Sequence, residues 1–294
     1  MPRVSVGLPV FNGERFIEEA LSALLAQTFH DLELIISDNA STDRTEAICR
    51  QYAEQDRRVT YHRSPRNRGI SWNYRRVFEL SSGAYFKWAT YDDVCAPEFI
   101  ARCVDVLDRD PRVVLAHSTA TIIDEFGKRQ LDCGAGLHLQ SPRPHERLTQ
   151  LFHNLRLSNA LYGVIRTSTL KDTPLLGDYP GADIPFLSEL ALRGLFFEIP
   201  ESLFFRRVHA AATSAHPEDQ AQLEAYNPEK VGRAVFREWR MLYEHYRAAA
   251  RVPLSTRERV AVWSFLLKNA IWNRAELMRE LLDAGRSQSR VRSR

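Results

Sequence analysis

From residue 4 to residue 117 the chain alternates β-rich runs with helix-period segments, and this alternation constrains the fold more than any other feature. Val4 to Pro9 is a short apolar run read as a strand, and Phe11-Asn12-Gly13 after it is a turn signal. Phe16, Ala20, Leu21, Leu24 and Leu25 then recur at helical spacing. Leu32 to Ser37 reads as the second strand, Asp43 to Ala53 as a helix, Val59 to His62 as the third strand, and Ser71 to Leu80 as a helix. A fourth β-rich run starts at Ala84 and ends in Asp92-Asp93; Pro97 opens a helix to Leu107, and Val113 to His117 is a further strand. Alternation with short connections predicts a largely parallel, Rossmann-like α/β sheet flanked by helices. Right-handed crossovers put the C-terminal ends of such strands on one edge. The polar loops after the first four strands should therefore converge in one crevice, where open α/β sheets bind ligands.

Beyond residue 118 the pattern changes. Thr121 to Gln130 reads as a hairpin around Glu125-Phe126-Gly127-Lys128, and Ser141 to Pro144 as a loop. Leu148 to Leu155 looks helical, Leu161 to Arg166 a strand, Phe186 to Leu192 a helix, and Phe197 to Arg207 strand material broken at Pro200. From Glu229 to Gly285 the pattern is helical, with apolar stripes at Trp239, Leu242, Tyr243, Tyr246 and at Val262, Phe265, Leu266, Ile271, Trp272. Arg and Lys residues interrupt these stripes, as in helices that bury one face. The expectation is packing on the domain or on a second copy, a homodimer through these helices; a helix lying on a lipid surface is the competing reading. The organisation expected is residues 1–220 as the main domain, 221–285 as a helical appendage, and 286–294 as a disordered basic tail.

Composition removes several classes. Forty basic residues stand against 37 acidic ones, a net charge of +3, which does not argue for nucleic acid. The four cysteines, at 49, 95, 103 and 133, form no CxxC pair, so neither zinc nor thioredoxin-type chemistry is suggested. No stretch reaches the ~20 apolar residues of a membrane span. The chain enters a strand pattern at once, without a signal region. With free cysteines this predicts a cytoplasmic setting, with peripheral contact at the inner face of a membrane left open. No GxGxxG follows the first strand and no GxxxxGK[ST] occurs, which argues against dinucleotide and P-loop chemistry.

Asp92-Asp93 is the pair that most suggests chemistry. Adjacent carboxylates on a loop suit a hard divalent cation that keeps substrate phosphates among its ligands. They equally suit a solvated turn or a helix cap.

Several separate stretches resemble one family. Leu8-Pro9-Val10-Phe11-Asn12-Gly13-Glu14-Arg15-Phe16-Ile17, Ala26-Gln27-Thr28-Phe29, Ser37-Asp38-Asn39-Ala40-Ser41-Thr42-Asp43, Arg66-Asn67-Arg68-Gly69, Asp92-Asp93 with Pro97-Glu98-Phe99, and Leu190-Ala191-Leu192-Arg193-Gly194 occur in order, ending near Arg207-Val208-His209. Together they resemble the family 2 glycosyltransferases of the GT-A fold. The resemblance covers roughly residues 3 to 214 and leaves the helical end outside it. It implies inverting transfer of a sugar from a UDP-, GDP- or dTDP-sugar to a hydroxyl of a glycan, a lipid-linked glycan or another acceptor. It implies Mg²⁺ or Mn²⁺ as cofactor, and a place in polysaccharide or glycoconjugate biosynthesis.

The resemblance also implies roles for residues. Pro9, Phe11, Glu14 and Asp38 would hold the donor's base and ribose, with Asn67, Gly69 and Tyr91 beside them; a carboxylate can accept from a base N–H or a ribose hydroxyl. The competing reading of Asp38 is an Asx turn. Asp92 aligns with the last Asp of the family's metal motif, whereas Thr90 replaces its first. His209, in an Arg-x-His segment, would be a second metal or diphosphate ligand, and Asp93 and Arg207 are further candidates. Asp183 aligns with the family's catalytic base, although Ala182 replaces the Glu before it; its competing reading is a helix N-cap. Two rival functions remain. A nucleotidyltransferase would want a Gly-rich basic loop after the first strand, which is absent. A non-catalytic nucleotide- or carbohydrate-binding protein would draw support from the departures at Thr90 and Ala182.

Overall fold

The computed structural model describes residues 1–133, 136–210, 219–230 and 236–282. Strands β1 (Val4–Val10), β2 (Leu32–Asp38), β3 (Val59–Arg63) and β4 (Tyr85–Trp88) alternate with helices α1 (Ile17–Leu25), α2 (Thr45–Gln55) and α3 (Ile70–Glu79). They pair in the order β3-β2-β1-β4, all parallel. Every residue of β1 is buried, as expected of a central parallel strand covered on both faces. Alternation along the strands splits the core in two. Val4, Val6, Leu8, Leu34 and Ile36 pack with α1, α2 and α4 (Phe99–Arg109). Ile35, Phe86 and Trp88 pack on the other side with Val77 of α3 and with Phe186, Leu187 and Leu190 of α7 (Asp183–Arg193). At Gly7 a Cβ would come 2.7 Å from the Val77 side chain, so α3 lies directly on β1.

The second half of the sheet is mixed rather than parallel. β5 (Val94–Cys95), β6 (Val113–Ile123), β7 (Arg129–Cys133), β8 (Val164–Arg166) and β9 (Leu195–Arg207) extend the order as β4-β8-β6-β9-β5, with β7 on β6. Only β6 and β9 run parallel among these pairs; β8 is antiparallel to both of its neighbours. β6 runs six residues beyond the expected strand because it pairs with β7, β8 and β9 in turn. β4 is shorter than expected, ending at Trp88. Its last partner on β1 is Gly7, and Val94-Cys95 leaves it to pair with β9. The expected strand from Leu161 starts as a 3-10 turn, Ser158–Tyr162, and only Val164–Arg166 is extended.

The C-terminal helices α9 (Arg237–Arg251) and α10 (Thr256–Trp272) pack on α5 (Pro144–Asn154) and α7. Their shared core is Leu148, Leu192, Ala249, Val252, Val262 and Leu266. Ser255 caps α10, its hydroxyl accepting the Glu258 N–H. The short helices α6 (Thr167–Lys171) and α8 (Asp219–Tyr226) complete the set, and residues 274–282 are helical. The basic tail 286–294 lies outside the described residues. All four cysteines are free. No described helix is long and apolar enough to cross a membrane.

Candidate active site

The C-terminal ends of β1 to β4 open on one edge, and the loops that follow them bond to one another. Asn12, at φ 52°, offers its side-chain oxygen to the Thr42 N–H at 2.8 Å, and its own N–H donates to Ser41 Oγ at 2.9 Å. The Gly13 N–H donates to Thr45 Oγ1, the Glu14 N–H to Asp43 Oδ2, and the Arg44 N–H to Glu14 Oε2. These bonds join the loops after β1 and β2 into one unit. Asn39 holds the next loop, donating to Asn67 Oδ1 and accepting the Arg68 N–H. Asn73 of α3, itself buried, donates to Val10 O and Ser37 O and so ties the last turns of β1 and β2 together.

The expected donor contacts occupy this edge, with different exposures. Phe11 presents its ring to solvent at 41% exposure, and Glu14 is exposed. Pro9 is buried, and Tyr91 lies against Gly13. Asn67 Oδ1 also receives the Gly69 N–H, and Gly69, at φ 86°, lies under the Tyr226 backbone of α8. Asp38 is fully buried. Its carboxylate accepts the Ser41 N–H at 2.8 Å, the Asx turn, and the Tyr61 hydroxyl at 2.6 Å, with Arg63 Nε at 3.4 Å. Burial and this carboxylate together raise the Tyr61 phenol well above its ordinary value. Removing Asp38 would orphan buried partners, so Asp38→Ala is expected to cost stability as well as any affinity for a nucleotide.

Asp92 and Asp93 sit in the turn after β4, beyond the end of the strand. Asp92 Oδ2 meets His209 Nε2 at 2.9 Å. The His209 ring is buried against Phe16, at 4.7 Å between centroids, and its Nδ1 has no partner among the described residues. Two donor atoms 2.9 Å apart match neighbouring positions around one small cation with metal–ligand distances near 2.1 Å. Among the described residues no group of three or more His, Cys, Asp or Glu converges, so this pair would leave most of a coordination sphere to phosphate and water. Thr90, where the family has Asp, donates to Asp93 Oδ2 at 2.7 Å, and the Arg207 N–H donates to Asp93 Oδ1 at 2.8 Å. Burial first, and then the neighbouring Asp92 carboxylate, push Asp93 above the usual carboxylate range. Asp93 is thus held inside the turn by Thr90 and Arg207.

Arg207 does not face the crevice. Its side chain is 1% exposed and donates to Asp92 O, Asp124 O and Glu19 Oε2, the last at 2.6 Å. It locks the Asp92 turn to α1 instead of reaching for a diphosphate. Arg206, bonded to Asn159, is the cation whose field favours ionised Asp93.

Asp183 is the first residue of α7, with Ala182 at the N-cap, so it is not itself the cap. Among the described residues it takes no hydrogen bond, and it is half-buried. Tyr226 and Arg237 lie beside it: burial pushes the Tyr226 hydroxyl up to about 12, and the Asp183 carboxylate adds to that. Asp178, an acid five residues before Asp183, is engaged by Lys230 at 2.7 Å and by Asn227 at 3.1 Å. Tyr226 and Arg237 had no signal in the sequence, because they come from the helical end, which carries none of the quoted motifs. Glu19, the partner of Arg207, reads in sequence only as an exposed acid of an amphipathic helix.

Comparisons with known proteins identify the family and the fold. Residues 5–165, more than half of the chain, match the family described as Glycosyl transferase family 2. An uncharacterized glycosyltransferase of Haemophilus influenzae is 28% identical over 226 residues, covering 73% of this chain and 68% of that protein. One of Rickettsia prowazekii is 26% identical, covering 72% of this chain and 66% of its own. Among solved structures, TarS residues 1–349 of S. aureus, in complex with UDP-GlcNAc, superimposes with a TM-score of 0.66 at 15% identity over 91% of this chain and 72% of that one. The mannosyltransferase PcManGT from Pyrobaculum calidifontis, in complex with GDP-Man and Mn²⁺, gives 0.54 at 18% identity over 97% and 86%. At these identities the structures establish the fold, a GT-A sheet flanked by helices. With the family match over more than half its length, the chain belongs to glycosyl transferase family 2 and is a glycosyltransferase.

Proposed function

We propose that the protein transfers a sugar, with inversion, from a nucleoside diphosphate sugar to an acceptor hydroxyl. The observation that carries this reading is the Asp92–His209 pair, 2.9 Å apart at the edge where four strand-end loops meet. Asp92 and His209 are the residues that would hold Mg²⁺ or Mn²⁺; when bound, the cation neutralises charge on the leaving diphosphate. The loops after β1, β2 and β3 supply the donor bed: Phe11 for packing on the base, and Glu14, Asn67 and the Gly69 backbone for polar contacts. Asp38 acts from inside, fixing the turn at Ser41. Tyr91, between this bed and Asp92, faces the sugar and diphosphate. Asp183, at the start of α7 and without a hydrogen bond among the described residues, accepts the proton of the attacking hydroxyl. The UDP-GlcNAc and GDP-Man complexes of the structural relatives, and the Mn²⁺ in one of them, support this donor class and cofactor. A role in polysaccharide or glycoconjugate synthesis follows from the same reading.

The test is thermal shift with a panel of UDP, GDP and dTDP, with and without Mn²⁺. One nucleotide should raise the melting temperature further when Mn²⁺ is present; saturation at 100 times Kd corresponds to about 2.7 kcal/mol. Asp92→Ala should remove the metal-dependent part. An unchanged metal response in that variant would overturn the assignment.

A further inference from the structure

We propose that the outward face of α10, continued by residues 274–282, is a docking surface for an anionic lipid bilayer. Helix α10 is apolar on two opposite sides. Its inner side, Val262 and Leu266, is buried against α5 and α9. Its outer side carries Val260, Trp263, Leu267 and Ile271 at 59, 44, 56 and 55% exposure, and Trp272 follows at 85%. Met278, Leu281 and Leu282 prolong the exposed apolar surface. An exposed apolar patch of this kind marks an interface.

Charge decides what covers it. The one acid of α10, Glu258, is turned inward onto His145 Nδ1 at 2.7 Å. Arg257, Val260, Ser264, Lys268 and Ile271 follow one another at spacings of three and four, so they form one row, with Trp263 and Leu267 in the next. Arg257 and Lys268 are exposed and, among the described residues, neither meets a carboxylate. In the following helical segment Glu276 pairs with Arg279, and Glu280 accepts the Glu238 and Trp239 N–H groups. A second copy of the α10 row would oppose cation to cation, and the one exposed acid of 274–282 among the described residues, Glu276, already pairs with Arg279. A bilayer of anionic headgroups receives both the cations and the apolar stripe, and Trp sits well at such a boundary.

The surface is also connected, through α9, to the start of the helix that carries Asp183. Trp239 Nε1 donates to Leu277 O, tying 274–282 to the start of α9. That first turn of α9 packs on Gly181, through Arg237 and Met241, two residues before Asp183. An acceptor carried by the bilayer would therefore arrive beside the base; this step alone rests on the role proposed for Asp183.

Co-sedimentation of the full chain at physiological salt tests the surface, using vesicles of equal parts phosphatidylglycerol and phosphatidylcholine against phosphatidylcholine alone. The protein should pellet with the anionic vesicles, and Trp263→Glu with Leu267→Glu should weaken this at least about tenfold. Arg257→Gln with Lys268→Gln should weaken anionic binding also, and flatten its salt dependence. Nucleotide-dependent thermal shift in the same samples reports folding and the donor site separately. The proposal is overturned if anionic vesicles do not pellet the protein, or if both variants pellet like the wild type. It is overturned equally if sedimentation velocity shows a dimer that Trp263→Glu with Leu267→Glu dissociates while vesicles bind nothing.

Discussion

The strand-end loops and the C-terminal helices treat their polar and apolar groups in opposite ways. In the loops nearly every polar group is taken by a neighbour: Asn12 by Thr42, Gly13 by Thr45, Asp38 by Ser41 and Tyr61, Asn39 by Asn67. By contrast, Asp183 at the start of α7, on which the C-terminal helices pack, stands without a hydrogen bond among the described residues, and α10 turns apolar side chains to solvent. A bed for a nucleotide benefits from being set before the ligand arrives, because ordering it during binding would subtract from affinity. A base has to keep its lone pairs for the proton it will accept, and a docking face has to remain uncovered until its partner is met.

The largest effect should come from the unbonded carboxylate. Asp183→Asn is expected to lower turnover about 10²–10⁴-fold, while nucleotide affinity measured by calorimetry stays unchanged. If Asp183→Asn turns over normally and Asp178→Asn does not, the contrast between a free base and an engaged acid fails. Next, Leu266→Ala should cost about 2–5 kcal/mol in denaturant unfolding, because this 2%-exposed side chain joins α10 to the domain. A separate early transition, with the donor loops still binding nucleotide, would sharpen the comparison; a loss well under 1 kcal/mol would break it.

A pH effect also separates the regions. His245 of α9 is buried beside Phe152, and burial lowers its pKa to about 4. It is therefore neutral in the fold, and its stabilisation is present above the ordinary value of 6.5 and is lost as pH falls from there towards 4. The loss should reach on the order of 3 kcal/mol by pH 4. His245→Gln should flatten the unfolding free energy over that window; an equally steep slope in the variant would place the titration elsewhere. The smallest effect is expected in the loops. Asn12→Ala loses the bond to Thr42 and puts a Cβ-bearing residue without a polar side chain at φ 52°, costing about 1–2 kcal/mol. Asn12→Gly should recover the backbone part of that, as read by melting temperature.

Most of the first half was legible because its signals are local. The alternation of β runs and helical periods around Val4, Leu32, Val59 and Tyr85 survives into β1 to β4, since β1, β2 and β4 are buried almost throughout and read as near-continuous apolar runs, while the edge strand β3 buries Val59. The second half was less legible. The length of β6 and the direction of β8 depend on which strands pair with them, which no short window contains. Arg207, a candidate metal or diphosphate contact in the sequence, proves buried, because its partners, Glu19 and the Asp92 and Asp124 carbonyls, come from distant stretches. Lys87 is similar: a cation in the middle of β4, buried over the rings of Phe99 and Phe204 and donating to the Tyr162 carbonyl.

By itself the sequence determined the parallel half-sheet, the family, the loops that gather at one edge and the residue types found there. Hydrophobic period and turn chemistry act over a few residues and are written locally. The tertiary structure decided which charges are already spent and which are free. It turned Arg207 inward, gave Asp178 to Lys230 and left Asp183 without a hydrogen bond among the described residues. It buried one apolar stripe of α10 and left the other in water, because the outcome depended on which surface the rest of the chain could cover.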